Sequence, residues 1–394
     1  MTMIYLDNSA TTWPKPPAVK EAMVRFMEEV GANPGRSGHR LSIEAARVMY
    51  EAREALAALF HANDPLRIVF TLNATESINL AMKGLLTPGD HVITSSMEHN
   101  SVMRPLRHLE GDGIELSVIG CSKEGALDPR DVEKGIKSNT RMVVLTHASN
   151  VTGTLLPIRE VGAIARKHNL LFLVDSAQTA GACPIDMEKD GIDLLAFTGH
   201  KSLYGPQGTG GLVLGERVHE KEMIPLKQGG TGSRSEFERQ PDFLPDCFES
   251  GTPNGPGIAG LLAGLHFVME EGIEKIRQQE GRLVETLIVG LRKLPGVRIY
   301  GPEKGSQRIA TLSFTIEGTT PSEISTRLER EFSILCRPGL HCAPSAHRSL
   351  GTFPDGTVRF SLGAFNTKEE VKTVISAVSE ISKVASRTWR VARG

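Results

Sequence analysis

An aspartate and a lysine each follow a short apolar segment in the middle of the chain. Asp175 ends the run Leu-Leu-Phe-Leu-Val-Asp, and Lys201 follows Leu-Leu-Ala-Phe-Thr-Gly-His. The segments 170–174 and 193–197 are short and almost wholly apolar, as strands covered on both faces of a parallel sheet are. Because ligands bind beyond the carboxyl ends of such strands, we expect both side chains to face one ligand site.

The two residue types suit one cofactor. Pyridoxal 5'-phosphate needs a lysine that forms a Schiff base and an acid that pairs with its pyridinium nitrogen. Gln178 follows the first strand, and Thr198 and His200 follow the second. The pattern predicts a pyridoxal-phosphate enzyme.

Each residue alone has an ordinary alternative. An aspartate after a strand often only caps a turn or helix, and a lysine near glycines is often a solvated loop charge. A P-loop is excluded, because its glycines precede the lysine, whereas here they follow Lys201.

Composition favours small-molecule chemistry. Forty-five basic against forty-six acidic residues leave no net field that would attract nucleic acid or a membrane. The start has no basic region followed by a long apolar stretch, and no later window resembles a membrane span, so we expect a soluble cytoplasmic protein. The five cysteines are odd in number and widely spread, which argues against a disulfide framework.

Strand and helix patterns alternate from about residue 66 to residue 215. Strands are expected at 66–70, 91–95 and 141–146 in addition to the two above, with helices between them. That alternation predicts an α/β fold with a mostly parallel sheet and helices on both faces.

The pattern changes after the Gly/Pro-rich segment 251–257. A long helical stretch is expected from 258 to 292, and shorter elements follow, which together predict a smaller α+β domain. The later elements are strands at 297–300 and 309–314 and helices at 321–331 and 367–385. The domain boundary is expected near residue 260, inside a helix.

Thr75 stands at the opening of a predicted helix that follows a strand. Free backbone amides and the helix dipole favour a phosphate at such a position. The simpler alternative is that Thr75 only caps its helix.

The chain resembles the class V aminotransferase family, and within it the cysteine desulfurases and selenocysteine lyases of the Suf-type group. Nine motifs match in order along nearly the whole chain: 5–12, 74–79, 98–101, 149–154, 175–178, 198–201, 251–254, 337–343 and 359–367. The resemblance implies a fold-type I pyridoxal-phosphate-dependent transferase. Its large cofactor-binding α/β domain would span 16–260, and its small α+β domain, with a catalytic cysteine loop, 1–15 and 261–394.

The same resemblance implies a role for each matching residue around the cofactor. His99 would stack on the pyridoxal ring and move protons, and Lys201 would carry the cofactor. Asp175 would hold the pyridinium. The remaining implied cofactor ligands are Asn150 and Gln178 near the phenolic oxygen and Thr75, Thr198 and His200 at the phosphate.

Two further residues are implied to act at the edges of this site. Thr252 would reach the phosphate of a neighbouring subunit, so that a homodimer completes the site. Arg359 would bind the substrate carboxylate together with Asn150, a task suited to the two-pronged guanidinium. Without the resemblance, a surface ion pair is the default reading of Arg359.

Cys342, in Arg-Pro-Gly-Leu-His-Cys-Ala, decides between reactions. A cysteine acts as a nucleophile in its thiolate form, and we expect His341, His347 and Arg337 to favour that form electrostatically. A buried apolar role is one alternative. A zinc set that includes Cys336 is another, but its spacing matches no familiar pattern, and we predict no metal.

We therefore expect L-cysteine to be converted to L-alanine, with a persulfide formed on Cys342 and passed to a sulfur-acceptor protein or thiol. Lys201 would remove the α-proton. L-selenocysteine as substrate, another class V reaction such as C–S β-elimination or transamination, and a non-catalytic binding role remain alternatives.

Overall fold

The computed structural model describes residues 3–35 and 37–393, with side chains described up to residue 385. Residues 1, 2 and 394 of the predicted small domain lie outside the described residues. The strands are β1 (Ile4–Tyr5), β2 (Ile68–Thr71), β3 (His91–Ser95), β4 (Glu115–Ile119), β5 (Thr140–Thr146), β6 (Leu171–Asp175), β7 (Leu194–Thr198), β8 (Gly210–Leu214), β9 (Val297–Tyr300), β10 (Thr311–Ile316), β11 (Ile334–Leu335), β12 (Arg337–Gly339) and β13 (Thr357–Ser361).

The helices connect these strands and cover the sheets. They are α1 (Pro17–Arg25), α2 (Arg40–Phe60), α3 (Ala74–Leu85), α4 (Asn100–Gly111), α5 (Pro129–Lys134), α6 (Ile158–Lys167), α7 (Gly255–Glu271), α8 (Ile273–Arg292), α9 (Pro321–Phe332), α10 (Pro344–Leu350) and α11 (Lys368–Arg393). Within the ranges that the structure describes, no helix has the length and apolar character needed to cross a bilayer.

A seven-stranded sheet organises the larger part of the chain, in the order β2-β8-β7-β6-β5-β3-β4. Strand β8 runs antiparallel to both its neighbours, and the other pairs are parallel. Successive residues of β5 face opposite sides of the sheet: Val143 packs in one hydrophobic cluster and Val144 in another. Helices therefore cover both faces, and the predicted fold class is confirmed.

A second sheet lies in the C-terminal part, in the antiparallel order β12-β13-β10-β9. The N-terminal segment also lies in this part of the structure. Strand β1 pairs with β11 in a separate two-stranded sheet, and Asp7 bridges to Ser361 on β13. Residue 260 falls inside α7, while the division into two domains stays a prediction.

Four predicted boundaries were wrong, and two of them differ for identifiable local reasons. The helix expected at 367–385 extends to Arg393. The strand expected at 66–70 begins at Ile68, because Pro65–Arg67 forms a 3-10 turn capped by Asp64. The helix expected at 258–292 is two helices, since Gly272 adopts φ +80° and ends α7. The strand expected at 309–314 is displaced to Thr311–Ile316.

Glu280 on α8 makes stability depend on pH. Burial raises the pKa of its carboxyl to about 8. A raised folded-state pKa contributes stability that is fully present below the unfolded pKa and lost as pH rises through the folded pKa. We expect Glu280→Gln to gain stability relative to the parent between the ordinary glutamate pKa of 4.5 and about 8, by up to ~1.4 kcal/mol per pH unit.

Urea unfolding at several pH values measures this difference. Glu274→Gln is the matched control, because Glu274 lies on the same helix but is exposed. A Glu280→Gln difference that stays constant with pH would show that the carboxyl is not held neutral.

Candidate active site

Asp175 and Lys201 lie at the same edge of the large sheet. Asp175 is the last residue of β6, Thr198 is the last of β7, and the two strands are parallel neighbours. Lys201 lies three residues beyond the end of β7. The expected meeting of the two residues agrees with their electrostatics, because the charge of each shifts the pKa of the other.

The Asp175 carboxyl is almost fully buried. Burial raises its pKa, and the Ala177 backbone N–H, which donates to Oδ1 at 2.9 Å, acts in the opposite direction together with Lys201. A carboxylate in this position can pair with a cationic ring nitrogen.

Burial lowers the pKa of Lys201 to about 8, and the carboxylate of Asp175 offsets part of that effect. Arg359 and Arg337 lower it further. Lysines whose amines react are tuned in this way by desolvation and nearby cations.

Three predicted phosphate ligands stand where a sheet edge meets a helix start. Asn73 caps α3 by accepting from the Glu76 N–H at 3.0 Å, so Thr75 is not the cap of its own helix. The helix start lies tightly against β8, where a Cβ on Gly210 would come within 2.6 Å of the Asn73 Cα. Thr198 Oγ1 and His200 Nδ1 are buried without a hydrogen-bond partner in the described chain.

His99 forms the N-cap of α4 and is partly buried. Its Nδ1 accepts a hydrogen bond from the Ser101 N–H at 3.0 Å. Burial lowers its pKa to about 4, and Lys201 is the first of the cations that add to the effect. The ring is therefore neutral near pH 7.

Asn150 and Gln178 are buried and tie separate segments to the site. The Asn150 amide donates to the His341 carbonyl at 2.6 Å, and the Gln178 amide donates to the Ser9 carbonyl at 3.1 Å. Asn150 thus anchors the cysteine loop, a contact that the sequence did not predict.

Arg359 is 1% exposed, which excludes the surface ion pair considered above. Its Nη2 donates to Asp7 Oδ1 at 2.5 Å and its Nη1 to the Asn150 carbonyl at 3.2 Å. Its Nε is buried without a partner among the described residues. A guanidinium fixed on two sides with a free N–H is suited to bind a further carboxylate.

Cys342 is exposed at the tip of a loop that is fixed to the site. His341 and Cys342 both have positive φ, at 50° and 57°, and the Asn100 N–H donates to the Cys342 carbonyl at 2.8 Å. Such backbone values are uncommon for residues other than glycine and need support from the surroundings. Arg337 Nη2 lies 3.5 Å from the Cys342 Sγ.

The prediction that His341 and His347 favour the thiolate form of Cys342 was wrong. Burial lowers the pKa of His347 to about 4 and that of His341 well below its usual value, so both rings are neutral. His341 Nε2 lies 3.0 Å from the Arg337 carbonyl, and His347 Nδ1 lies 2.7 Å from Thr352 Oγ1. Arg337 is thus the cation beside the sulfur.

The other four cysteines are poor nucleophiles. Burial raises the pKa of Cys121, and it raises those of Cys183, Cys247 and Cys336 to about 12. In the described ranges, no group of three or more His, Cys, Asp or Glu side chains is arranged to hold a metal ion. Cys336 contacts Ser325 instead of the two histidines of the zinc alternative.

Thr252 makes no hydrogen bond to Thr75, Thr198 or His200 among the described residues. It is exposed, and its hydroxyl accepts from the Asn33 amide at 3.5 Å. Its expected contact with a second subunit stays a prediction.

The sequence did not single out Asp7 or Ser101. Both lie inside matching motifs, 5–12 and 98–101. The motifs indicated that these segments contribute to the site. They did not predict the ion pair between Asp7 and Arg359, which are 352 residues apart, or the hydrogen bond between Ser101 and His99.

Comparisons with known proteins agree with this geometry. The family model for class-V aminotransferases matches residues 4–374. A probable cysteine desulfurase of Methanothermobacter thermautotrophicus is 35% identical over 96% of this chain and 94% of its own length. A probable cysteine desulfurase of Pyrococcus abyssi is 36% identical over 97% of this chain and 94% of its own.

Solved structures give the same result. The apo cysteine desulfurase of Thermococcus onnurineus is 36% identical, with a TM-score of 0.91 over 97% of this chain and 95% of that chain. An S-sulfonic acid form of a cysteine desulfurase from Escherichia coli is 31% identical, with a TM-score of 0.86 over the same shares. The chain belongs to the class-V aminotransferase family, which confirms the predicted resemblance, and this family consists of pyridoxal-phosphate enzymes.

Proposed function

We propose that the protein is a pyridoxal-phosphate-dependent cysteine desulfurase that converts L-cysteine to L-alanine and leaves the sulfur as a persulfide on Cys342. The observation that supports this most strongly is the Cys342 loop. It carries the exposed cysteine and is tied to the site by the Asn150–His341 and Asn100–Cys342 hydrogen bonds. A transaminase or β-lyase has no need of a thiol there.

The residues present fit the cofactor. The unpartnered Thr198 Oγ1 and His200 Nδ1, with Thr75 at a helix start, would hold its phosphate. Asp175 would hold its ring nitrogen, and the Lys201 amine would bond to its aldehyde. When bound, the cofactor supplies an electron-withdrawing ring that stabilises negative charge at the substrate α-carbon.

Arg359 positions the substrate. Its free Nε and the shared Nη2 would take the substrate carboxylate, while Asp7 and the Asn150 carbonyl keep the guanidinium plane in place. The Lys201 amine, neutral in a large fraction near its pKa of about 8, would remove the α-proton. The charge of Lys201 acts on the His99 ring, and His99 would move protons during the reaction.

Cys342 performs the step that defines the reaction. Its thiolate attacks the substrate sulfur, an S–S bond forms, and the C–S bond breaks with its electron pair left on the substrate carbon. Protonation of that carbon yields alanine, so one cysteine and one enzyme thiol give one alanine and one enzyme persulfide. Arg337, 3.5 Å from the sulfur, would stabilise the attacking anion.

The proposal includes two partners. A second copy of the chain would supply Thr252 to complete the phosphate site, which accounts for its exposed position. A thiol or a sulfur-acceptor protein would then take the persulfide from the exposed Cys342.

The proposal is tested by incubating cofactor-loaded protein with L-cysteine and identifying the carbon product. Alanine with sulfide, in the presence of a reductant, is the expected result. Pyruvate with ammonia would mean a β-lyase, and turnover of L-selenocysteine alone would mean a selenocysteine lyase.

Cofactor attachment should depend on pH through Lys201. Only the neutral amine bonds to an aldehyde, so the rate should rise about tenfold per pH unit up to about 8 and then level off. Asp175→Asn should move this profile to lower pH, because the carboxylate raises the Lys201 pKa. Visible absorbance after mixing stripped protein with pyridoxal phosphate measures it. A profile centred on the ordinary lysine pKa of 10.5 would contradict the assignment.

A further inference from the structure

The hydroxyl of Ser101 joins two residues that the proposed mechanism uses separately. Its Oγ lies 2.9 Å from Thr75 Oγ1 and 2.7 Å from His99 Nδ1. Ser101 is buried in the first turn of α4 and makes no contact that the proposed reaction itself requires. The result is a continuous path from the phosphate end of the site to the imidazole.

The backbone fixes the neutral form of His99. Because the Ser101 N–H donates to Nδ1, that nitrogen is an acceptor and the neutral ring carries its proton on Nε2. Four cations disfavour a second proton: Lys201 after β7, Arg337 on β12, Arg359 on β13 and Arg104 on α4. In this state the ring holds one proton and is a weak acid.

The two hydroxyls have two possible directions of donation, because each has one proton to give. In the first, Thr75 donates to Ser101 and Ser101 donates to Nδ1. In the second, Thr75 donates outward to an anion, Ser101 donates to Thr75, and a lone pair of Ser101 faces Nδ1. An anion whose unprotonated oxygen accepts from Thr75 favours the second direction, since Thr75 then has no proton left for Ser101 and only Ser101 can donate between the two hydroxyls.

We propose that Ser101 is a positioning residue that couples an anionic group on Thr75 to the protonation of His99. With the anion in place, Ser101 no longer donates to Nδ1 and offers it an acceptor, which favours the doubly protonated ring. The Ser101 N–H still points at Nδ1 and opposes this, so the coupling is limited to the size of a single hydrogen bond. Filling the phosphate site thus increases the population of the doubly protonated ring that can donate a proton, while the neutral ring remains the main form near pH 7.

This inference rests on the proposed function only in taking Thr75 as a phosphate ligand. Its effect is separable from the general attraction between an anion and an imidazolium, because that attraction does not require the Ser101 hydroxyl. The loss of the hydroxyl alone therefore isolates the coupling.

The test is a pH titration of the His99 ring nitrogens by NMR, with full-length protein labelled with 15N-histidine and stripped of cofactor. Inorganic phosphate is the probe, and His99→Gln assigns the signals. We expect phosphate to raise the His99 pKa by about one unit more in the parent than in Ser101→Ala, a tenfold difference in the protonation equilibrium. Ser101→Thr, which keeps a hydroxyl, should restore the parent shift.

The matched control is Ser117→Ala, because Ser117 Oγ lies 2.8 Å from His91 Nε2 at the other end of β3. It should leave the His99 shift as in the parent. The coupling would be overturned if phosphate raised the His99 pKa equally in Ser101→Ala and in the parent. It would also be overturned if phosphate left the His99 pKa unchanged in every variant. Neither result bears on the proposed function, because alanine formation is measured separately with cofactor-loaded protein and L-cysteine.

Discussion

Cys342→Ala will abolish alanine formation from L-cysteine while leaving the fold and cofactor binding unchanged. The thiol is exposed on a loop held by backbone contacts, so its removal creates no buried cavity. Loss of the proposed nucleophile should reduce turnover by at least on the order of 10³-fold, or ~4 kcal/mol of transition-state stabilisation. Steady-state alanine formation, with the cofactor absorbance as a check of loading, measures the effect.

Cys336→Ala is the matched control. Cys336 lies six residues earlier, but burial raises the pKa of its thiol to about 12, so it cannot serve as the nucleophile near pH 7. We expect this variant to retain alanine formation. If Cys342→Ala instead keeps parental turnover, the reaction does not pass through a protein thiol, and β-elimination or transamination replaces the proposed activity.

We expect Lys201→Ala to remove both the proposed covalent attachment of the cofactor and the proposed base for the α-proton. Loss of a positioned general base alone typically costs about 10²–10⁴-fold, and the lost attachment adds to it. Lys201→Arg should fail equally, because guanidinium keeps the charge but offers neither a neutral amine nor a base. Exchange of the L-cysteine α-proton with solvent deuterium measures the step directly.

Cys342→Ala serves as the control for this measurement. The variant keeps Lys201, and the thiol that it lacks is needed only after the α-proton has been removed. We expect α-proton exchange to persist in Cys342→Ala and to vanish in Lys201→Ala. Exchange at the parental rate without Lys201 would assign proton removal to another group, with His99 as the first candidate.

The sequence predicted the sheet well because the strands are buried on both faces. Continuous apolar segments such as those of β6 and β7 stand out from any helical period, and their ends fell within one residue of the structure. Elements decided by local backbone geometry were predicted less well. Gly272 in an otherwise helical pattern gave no sign of its positive φ, which splits α7 from α8.

In the site, the sequence predicted residues by their type and by resemblance, but not their contacts. Asp7 and Arg359 meet only because β1 joins the C-terminal part of the chain, and the contact crosses 352 residues. The neutrality of His341 and His347 could not be predicted either, because it results from burial that only the packed loop provides. The sequence placed these histidines beside Cys342 without indicating that their rings turn to other partners.

The most direct test of the central claim is to locate the sulfur after a single turnover. Cofactor-loaded protein is mixed with one equivalent of L-cysteine in the absence of reductant, trapped with an alkylating agent, digested and analysed by mass spectrometry. The account predicts one additional sulfur atom on Cys342, located by fragmentation of its peptide, and none on the other four cysteines, with alanine formed in equal amount. Alanine without that sulfur on Cys342, or the sulfur on another cysteine, would contradict it.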